Sequence, residues 1–112
     1  MKNHANVVIF ITTGTDEEAQ EVAKALLNNR LAACVNIVPK INSLFWWRSK
    51  LDSAQESLLI VKSKASLVSE IVRLVKEVHS YETPEIIALP IIGGNPDYLD
   101  WIDKESKQDT GE

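Results

Sequence analysis

Residues 31–64, LAACVNIVPKINSLFWWRSKLDSAQESLLIVKSK, decide the fold. They contain two apolar runs, 31–41 and 56–64, so close in sequence that an antiparallel hairpin is expected. The first run stays extended as far as Trp47, and 50–53 has the composition of a turn. Pro39 cannot donate a ladder hydrogen bond, which indicates a bulge or an edge position. The stretch therefore predicts a hairpin with a long first strand.

Three aromatic residues stand side by side in this hairpin, at Phe45, Trp46 and Trp47. Because successive side chains of a strand point to opposite faces, Trp46 cannot share a face with the other two. We expect one tryptophan to pack beneath helices and the other to be buried by a second copy of the chain. The alternative is a tryptophan that simply lies on the surface or on its own hairpin.

The flanking segments complete a β-α-β-β-α-β order. A β-branched run at 7–13 predicts a strand, and Thr15 with Glu18 has the spacing of a capping box at the start of a helix. Ser66 is the expected cap of a second helix that Pro84 prevents from continuing. The run 85–92 predicts a fourth strand, and Asn95 with Pro96 predicts a short C-terminal helix.

This order is the α+β ferredoxin-like sandwich, in which two helices cover one face of an antiparallel sheet. The other face would then expose large apolar groups, and a bare patch of that size indicates an interface.

Composition sets further limits. The chain has 112 residues, enough for one domain over 1–112 with an ordered core at about 6–104. A net charge of −4 argues against a nucleic-acid surface and against binding to anionic membranes. The one cysteine, Cys34, excludes an internal disulfide. A cytoplasmic location is expected, and an organellar or secretory precursor with a removed segment is left open.

Four segments together resemble the CutA family of divalent-cation tolerance proteins. They are LAACVNIVP (31–39), FWWRSK (45–50), the lysine of LLIVKS (58–63) and HSYETPEIIALP (79–90), within a similarity that runs over about 7–102. The resemblance implies a PII-like homotrimer in which long hairpin strands continue the sheets of neighbouring subunits. It implies no enzymatic activity, and it implies sensitivity to copper and other divalent metals.

The chain departs from the family pattern at several positions. Ser80 stands where a proline usually follows the histidine, and Arg48 and Ser49 replace an acidic residue and a glycine. Ile11 and Val78 occupy positions where some relatives carry a cysteine and a second histidine. These changes weaken a soft-metal site.

The candidate metal ligands are His79, Cys34 and Glu82, because imidazole, thiolate and carboxylate groups can hold Cu²⁺ or another divalent cation. Each has a structural alternative. Cys34 is among apolar neighbours, where a buried unreactive thiol is common. His79 follows a helix, where it could bond the last carbonyls.

The PII-like architecture that the resemblance implies suggests a ligand cleft at the subunit boundary, with Lys62, Trp47, Tyr81 and Glu85 as its candidate residues and a small anion as the ligand that Lys62 would meet. The alternative for Lys62 is an intersubunit ion pair with a carboxylate such as Glu85. The expected trimer interface consists of Phe45, Trp46, Trp47 and Pro84.

Several functions compete on this fold. A trimeric binding or signalling module that takes a metal or a small ligand is favoured, and a structural trimer that anchors a protein partner is its main competitor. An acylphosphatase-like hydrolase would need a phosphate-binding loop with an arginine, and 12–16 (TTGTD) offers none. A copper chaperone would need two close cysteines, and an RNA-binding sheet would need its aromatic signatures.

Overall fold

The computed structural model describes residues 5–108. These residues form four strands and three α-helices in the order β1 Asn6–Thr13, α1 Asp16–Asn28, β2 Cys34–Trp47, β3 Lys50–Lys64, α2 Val68–Val78, β4 Ile86–Pro90 and α3 Pro96–Glu105. A single 3-10 turn, Ala65–Leu67, leads into α2. The predicted β-α-β-β-α-β order with a short C-terminal helix is confirmed.

The strands form one antiparallel sheet in the order β2-β3-β1-β4. Alternate residues of the two central strands point toward α1 and α2 and are buried. They pack with the inner faces of both helices into one hydrophobic cluster that includes Ile9, Ile11, Leu59, Val61, Val22, Leu26, Ile71 and Val75. The ferredoxin-like α+β fold is therefore confirmed.

The second face of the sheet is only partly covered. Phe10 pairs with Ile60 and Ile87 on this face, and Ile87 is 51% exposed. Helix α3 contacts β3 and β1 and brings Tyr98 beside Cys34, so it covers one end of the face. The apolar remainder is the bare face that the sequence predicts.

The hairpin is longer than the rest of the sheet. Pairing between β2 and β3 continues to Trp47 and Lys50, whereas β1 pairs with β3 only as far as Ser57. Residues 41–47 and 50–56 therefore form a two-stranded ribbon that extends beyond the body, and the molecule measures 46 × 25 × 24 Å. Below, these residues are called the ribbon.

The predicted turn at 50–53 is wrong. Those residues belong to β3, and the chain reverses instead at Arg48 and Ser49, whose φ angles are 51° and 66°. Two consecutive positive φ values are typical of a type I′ hairpin turn, which usually takes asparagine and glycine. Arginine and serine rarely adopt this conformation, so the residue types at 48–49 do not indicate a turn.

Neither tryptophan packs beneath the helices, which corrects that expectation. Both lie on the ribbon beyond the helices, with Trp46 74% and Trp47 56% exposed. The prediction that Trp46 and Trp47 lie on opposite faces is confirmed. They are consecutive residues of β2, paired with the consecutive residues Leu51 and Lys50 of β3.

Three element ends also differ from the prediction. Ser66 does not cap α2, because it lies inside the 3-10 turn and Leu67 occupies the cap without a side-chain hydrogen bond. The second strand begins at Cys34, and β4 covers 86–90 within the predicted 85–92. The predicted Thr15 cap of α1 is confirmed, since Glu18 N donates to Thr15 Oγ1 at 3.1 Å.

Pro39 marks both a bulge and an edge, as predicted. Strand β2 lies at the edge of the sheet, and its pairing shifts from Val38 opposite Leu58 to Ile41 opposite Glu56. Lys40, inside this bulge, has a φ of 63°. The bulge is the boundary between the body of the sheet and the ribbon.

Candidate functional site

An open groove of about 890 Å³ lies between one face of the ribbon and the loop that follows α2. Four carboxylates and three aromatic rings line it, and the same lining contains no lysine, arginine or histidine: Asp52, Glu56, Glu82, Glu85, Phe45, Trp47 and Tyr81. Low-dielectric walls that carry one sign of charge concentrate the field and attract counter-ions. This acidic groove therefore favours cations.

Pairing within the ribbon explains how its side chains reach the groove. Phe45 lies opposite Asp52 and Trp47 opposite Lys50, so their side chains share a face with Glu56, which is paired with Ile41. Trp46 and Leu51 form a pair on the other face, where both are exposed. The ribbon thus has an inner face on the groove and an outer apolar face.

Tyr81 closes one end of the groove. Its hydroxyl donates to Glu56 Oε2 at 2.8 Å, and Glu56 is 9% exposed. Burial and the hydrogen bond to the Glu56 carboxylate raise the pKa of Tyr81 to about 12, so the phenol stays a donor at physiological pH. A Cβ at Gly14 would lie 3.2 Å from Tyr81 Oη, which explains the small residue opposite the ring.

His79 lies behind Tyr81 and is fully buried. Its Nε2 is 2.7 Å from the carbonyl oxygen of Thr12, and a carbonyl only accepts, so Nε2 carries the proton. Its Nδ1 then accepts from Tyr81 N at 3.0 Å. Both ring nitrogens are therefore used to hold the loop against β1.

Glu18 joins the start of α1 to the end of α2. Its carboxylate accepts from Ser80 N at 2.6 Å, from Ser80 Oγ at 3.1 Å and from Gly14 N at 3.4 Å, and it lies 3.6 Å from His79 Nδ1. Burial alone would raise the pKa of Glu18, but the hydrogen bonds from Ser80 outweigh it and hold the pKa below its ordinary 4.5. Ser80, the departure from the family pattern, supplies two of these donors.

Lys62 and Cys34 lie elsewhere on the sheet. They are paired on β3 and β2, with Lys62 Nζ 4.0 Å from Cys34 Sγ and hydrogen-bonded to Asn36 Oδ1. Lys62 is four residues along β3 from Leu58, the partner of Thr12, and four residues of strand span about 13 Å. The groove thus brings together Trp47, Tyr81 and Glu85 of the predicted cleft, but not Lys62.

The structure does not bring the predicted metal ligands together within this chain. Glu82 lines the groove, His79 is buried behind it with both nitrogens bonded, and Cys34 lies at the other end of the sheet. Over residues 5–108, no three histidine, cysteine, aspartate or glutamate side chains are placed to hold a metal ion together. A copper ion therefore does not fit these three residues as they stand in one chain.

The predicted interface residues lie at the ribbon and beside it. Trp46 is the most exposed of the three aromatic residues, Phe45 is 36% exposed, and Pro84 is half-buried in the loop that precedes β4. Asp52 and Glu56 were not singled out from the sequence, and Glu18 was predicted only as part of a capping box. Asp52 and Glu56 have the even spacing that puts polar side chains on one strand face, and that spacing is the available signal.

The fold and the groove together define a ferredoxin-like, PII-like protein with an overlong hairpin. The model of the CutA1 divalent ion tolerance protein family matches residues 7–105. The chain belongs to this family, which is described by ion tolerance and not by a catalysed reaction.

Relatives and solved structures agree with this assignment. A divalent-cation tolerance protein CutA from Archaeoglobus fulgidus is 49% identical over 86% of this chain and 93% of its own. A Thermus thermophilus CutA1 structure has a TM-score of 0.89 at 43% identity, covering 91% of this chain and 99% of that one. A rice CutA1 structure has a TM-score of 0.91 at 39% identity, covering 96% and 98%.

Some relatives are longer than this chain. It is 41% identical to the rice chloroplastic protein CutA 1 over 92% of its own length but only 58% of the rice protein. Relatives carry chloroplastic and periplasmic designations. Among the described residues, no helix is long and apolar enough to cross a membrane.

Proposed function

We propose that this chain acts without catalysis as a homotrimeric module of divalent-cation tolerance, with its cation-binding carboxylates in the acidic groove. Membership of the CutA1 family supports the tolerance function, and the lining of the groove supports a cation as the ligand. The observation that supports the trimer is the ribbon, a two-stranded hairpin that exposes large apolar side chains to water.

Within residues 5–108 the two strands of the ribbon pair with each other and with no other strand, so their outer backbone edges are free there. A two-stranded hairpin is marginal in water, and free edges invite pairing with another chain. Its outer face exposes Leu44 by 70%, Trp46 by 74% and Leu51 by 64%. In a trimer, neighbouring subunits would pair with the free strand edges and bury this apolar face.

The bare face of the sheet extends the same interface. Ile87 and Leu89 on the edge strand β4 are 51% and 43% exposed and point to the side away from α1 and α2. Apolar residues on a free edge strand are unfavourable in water unless another chain covers them. A threefold arrangement is the one that the CutA resemblance implies.

For the cation, Glu82 is the predicted ligand that the groove presents directly. His79 and Cys34 remain predicted ligands whose participation would need a neighbouring subunit or a rearrangement of their present contacts. A small anion would have no cationic partner in the groove and would have to bind at Lys62 instead. The carboxylates therefore favour the cation.

Native mass spectrometry with and without Cu²⁺ tests the proposal. A trimer is expected at about 37.5 kDa, three times the 12.5 kDa subunit, and it should take up copper at a defined stoichiometry. His79→Ala, Cys34→Ser and Glu82→Gln then identify which predicted ligands contribute. A monomer would overturn the assembly, and a trimer without copper would overturn the metal role.

The second candidate is a structural trimer that anchors or clusters a protein partner. The observation in its favour is apolar surface away from the ribbon, where Ile92 is 86%, Tyr98 42% and Trp101 40% exposed. A trimer that binds no cation while it retains a protein partner would favour this role. We propose a cytoplasmic location with no nucleic-acid partner, consistent with the net charge of −4.

A further inference from the structure

Cys34 and Lys62 bring a thiol and an amine together on the second face of the sheet. They lie directly opposite each other on β2 and β3, so their side chains share this face. Lys62 Nζ donates to Cys34 Sγ at 4.0 Å. Both residues are half-buried, so a small solute in the surrounding water can reach them. The pair lies outside the acidic groove, and β1 separates its two strands from β4.

Asn36 and Tyr98 hold the thiol and the amine in place. Asn36 Oδ1 accepts a hydrogen bond from Lys62 Nζ and lies 3.9 Å from Cys34 Sγ. It can contact both because it follows Cys34 by two residues on the same strand and points to the same face. Tyr98 of α3 lies beside the sulfur, where burial and the interaction with Cys34 raise the pKa of Tyr98, so the phenol keeps its proton. The sulfur therefore has fixed neighbours, and one of them carries a nitrogen nucleophile.

Oxidation of Cys34 leads to a species that needs such a nucleophile. A hydroperoxide converts an accessible thiol to a sulfenic acid, which condenses with a second thiol or with a nearby nitrogen. The chain contains no second cysteine, so a disulfide within it is excluded. The Lys62 side chain is long and rotates freely about its methylene groups, so its nitrogen can close the 4.0 Å gap.

We propose that Cys34 and Lys62 form a redox-sensitive pair, in which a hydroperoxide links the two side chains by a sulfur–nitrogen bond. In the first step Cys34 Sγ takes one oxygen atom from hydrogen peroxide, the O–O bond breaks and water leaves. The sulfur is oxidised by two electrons and the peroxide is reduced by two. In the second step the Lys62 amine, after releasing a proton to water, attacks Sγ. The S–O bond breaks, and the hydroxide leaves as water with a proton from the nitrogen.

The link changes three properties of this part of the sheet. It removes the charge of Lys62, masks the thiol of Cys34 and ties the beginning of the edge strand β2 to β3. A thiol reverses it by attacking Sγ, which releases the amine, and a second thiol then restores the cysteine. The inference goes beyond the proposed function, since it needs neither a bound metal nor a trimer.

Peptide mass spectrometry of the full chain after treatment with hydrogen peroxide tests the proposal. Trypsin cuts the reduced chain into peptides 31–40 and 51–62, which contain Cys34 and Lys62. The link blocks cleavage after Lys62, so we expect peptide 31–40 joined to 51–64 and lighter than their sum by two hydrogen atoms. Dithiothreitol should remove this product. Fragmentation of the joined peptide identifies the linked nitrogen in the wild type, so the test does not depend on a variant that folds.

Lys62→Arg keeps the positive charge but replaces the amine by a poorly nucleophilic guanidinium. It should lower the yield of the joined peptide at least about tenfold, while the sulfenic acid trapped by dimedone increases. Lys50→Arg, at an exposed position of the ribbon, is the matched control and should leave the yield unchanged.

Three results would overturn the proposal. The first is sulfenic or sulfinic acid at Cys34 without the joined peptide. The second is a disulfide between two chains as the main product. The third is a link whose nitrogen lies on a residue other than Lys62, or an equal yield in Lys62→Arg and Lys50→Arg.

Discussion

Glu18 shows how much of the site depends on one side chain. It belongs to the first turn of α1, where Thr15 accepts from its amide, and its carboxylate accepts from both donors of Ser80 beyond α2. It therefore fixes the start of the loop on which His79 holds Tyr81. A carboxylate with several donors is stabilised in its ionised form, which is why its pKa is low.

Glu18→Gln should lower the free energy of unfolding by about 1–2 kcal/mol at pH 7, since hydrogen bonds to a charged acceptor are stronger than those to an amide. Because the folded-state pKa of Glu18 lies below 4.5, ionisation favours folding above that pH. The contribution is lost as pH falls through the folded-state pKa. Urea unfolding of both proteins from pH 7 to pH 3 should show their difference in stability shrinking.

Glu17→Gln is the matched control in the same helical turn, since Glu17 is exposed. It should change stability by a few tenths of a kcal/mol through the helix dipole, with no comparable pH dependence. A constant difference between Glu18→Gln and the wild type across this pH range would contradict the assigned role of the carboxylate.

The sequence predicts only half of this arrangement. The Thr15–Glu18 spacing predicts the cap, because capping is local. The carboxylate reaches Ser80, 62 residues away, and His79 reaches Thr12 across 67 residues. Such partners depend on how α1 and α2 lie side by side over the sheet, and a pattern of spacing contains no information about that.

At the scale of elements, the hairpin turn is the least favourable piece of backbone in the ribbon. Arg48 and Ser49 both have positive φ, which costs most residues other than glycine roughly 1 kcal/mol. The cation–π contact of Arg48 with Trp47 offsets part of that cost. Ser49 makes no comparable side-chain contact among the described residues.

Ser49→Gly should therefore raise the free energy of unfolding by about 0.5–1 kcal/mol, because glycine adopts this φ without steric strain. Chemical denaturation at a fixed protein concentration measures the change. Ser53→Gly provides the control within β3, where glycine should destabilise by a similar amount. Destabilisation by Ser49→Gly would show that the turn conformation is not the one described.

The elements themselves were largely predictable, because the apolar periodicity of β1, α1 and α2 agrees with their burial. The wrong predictions lie where the residue types favour one local structure and the chain adopts another. The 50–53 stretch has turn-like residues but is held in β3 by pairs such as Asp52 with Phe45. Ser66 has the chemistry of a cap, yet the 3-10 turn that buries Leu67 places the helix start beyond it. Tertiary packing prevailed over local preference in both places.

At the scale of the whole molecule, the described subunit has a well-packed body and an apolar extension. Helices α1 and α2 bury one face of the sheet, while among residues 5–108 the outer face of the ribbon and the part of the second face beyond α3 stay exposed. The exposed aromatic side chains of such a surface are typical of residues that contribute most to association.

Trp46→Ser should weaken the proposed trimer, since truncation of a central aromatic at an interface costs about 2 kcal/mol or more, roughly a thirtyfold change in affinity. Dissociation on dilution, followed by mass photometry or analytical ultracentrifugation, should shift to higher concentration. Leu27→Ser, a half-exposed apolar residue on α1, should leave the assembly unchanged. Equal dilution behaviour of the two variants would contradict an interface at the outer face of the ribbon.

The bulge between Val38 and Ile41 adds one residue to β2 and so changes which residue numbers face each side of the sheet. Before it, even-numbered residues such as Cys34 point away from α1 and α2; after it, odd-numbered residues such as Trp47 do so. Deletion of Lys40 would make the pairing regular while Trp46 stays opposite Leu51 and Trp47 opposite Lys50, so both tryptophans would keep their faces. Loss of a second residue at this point would slip the pairing by one and exchange the groove and outer faces of β2, so the bulge is a place where the strand tolerates one residue more or less.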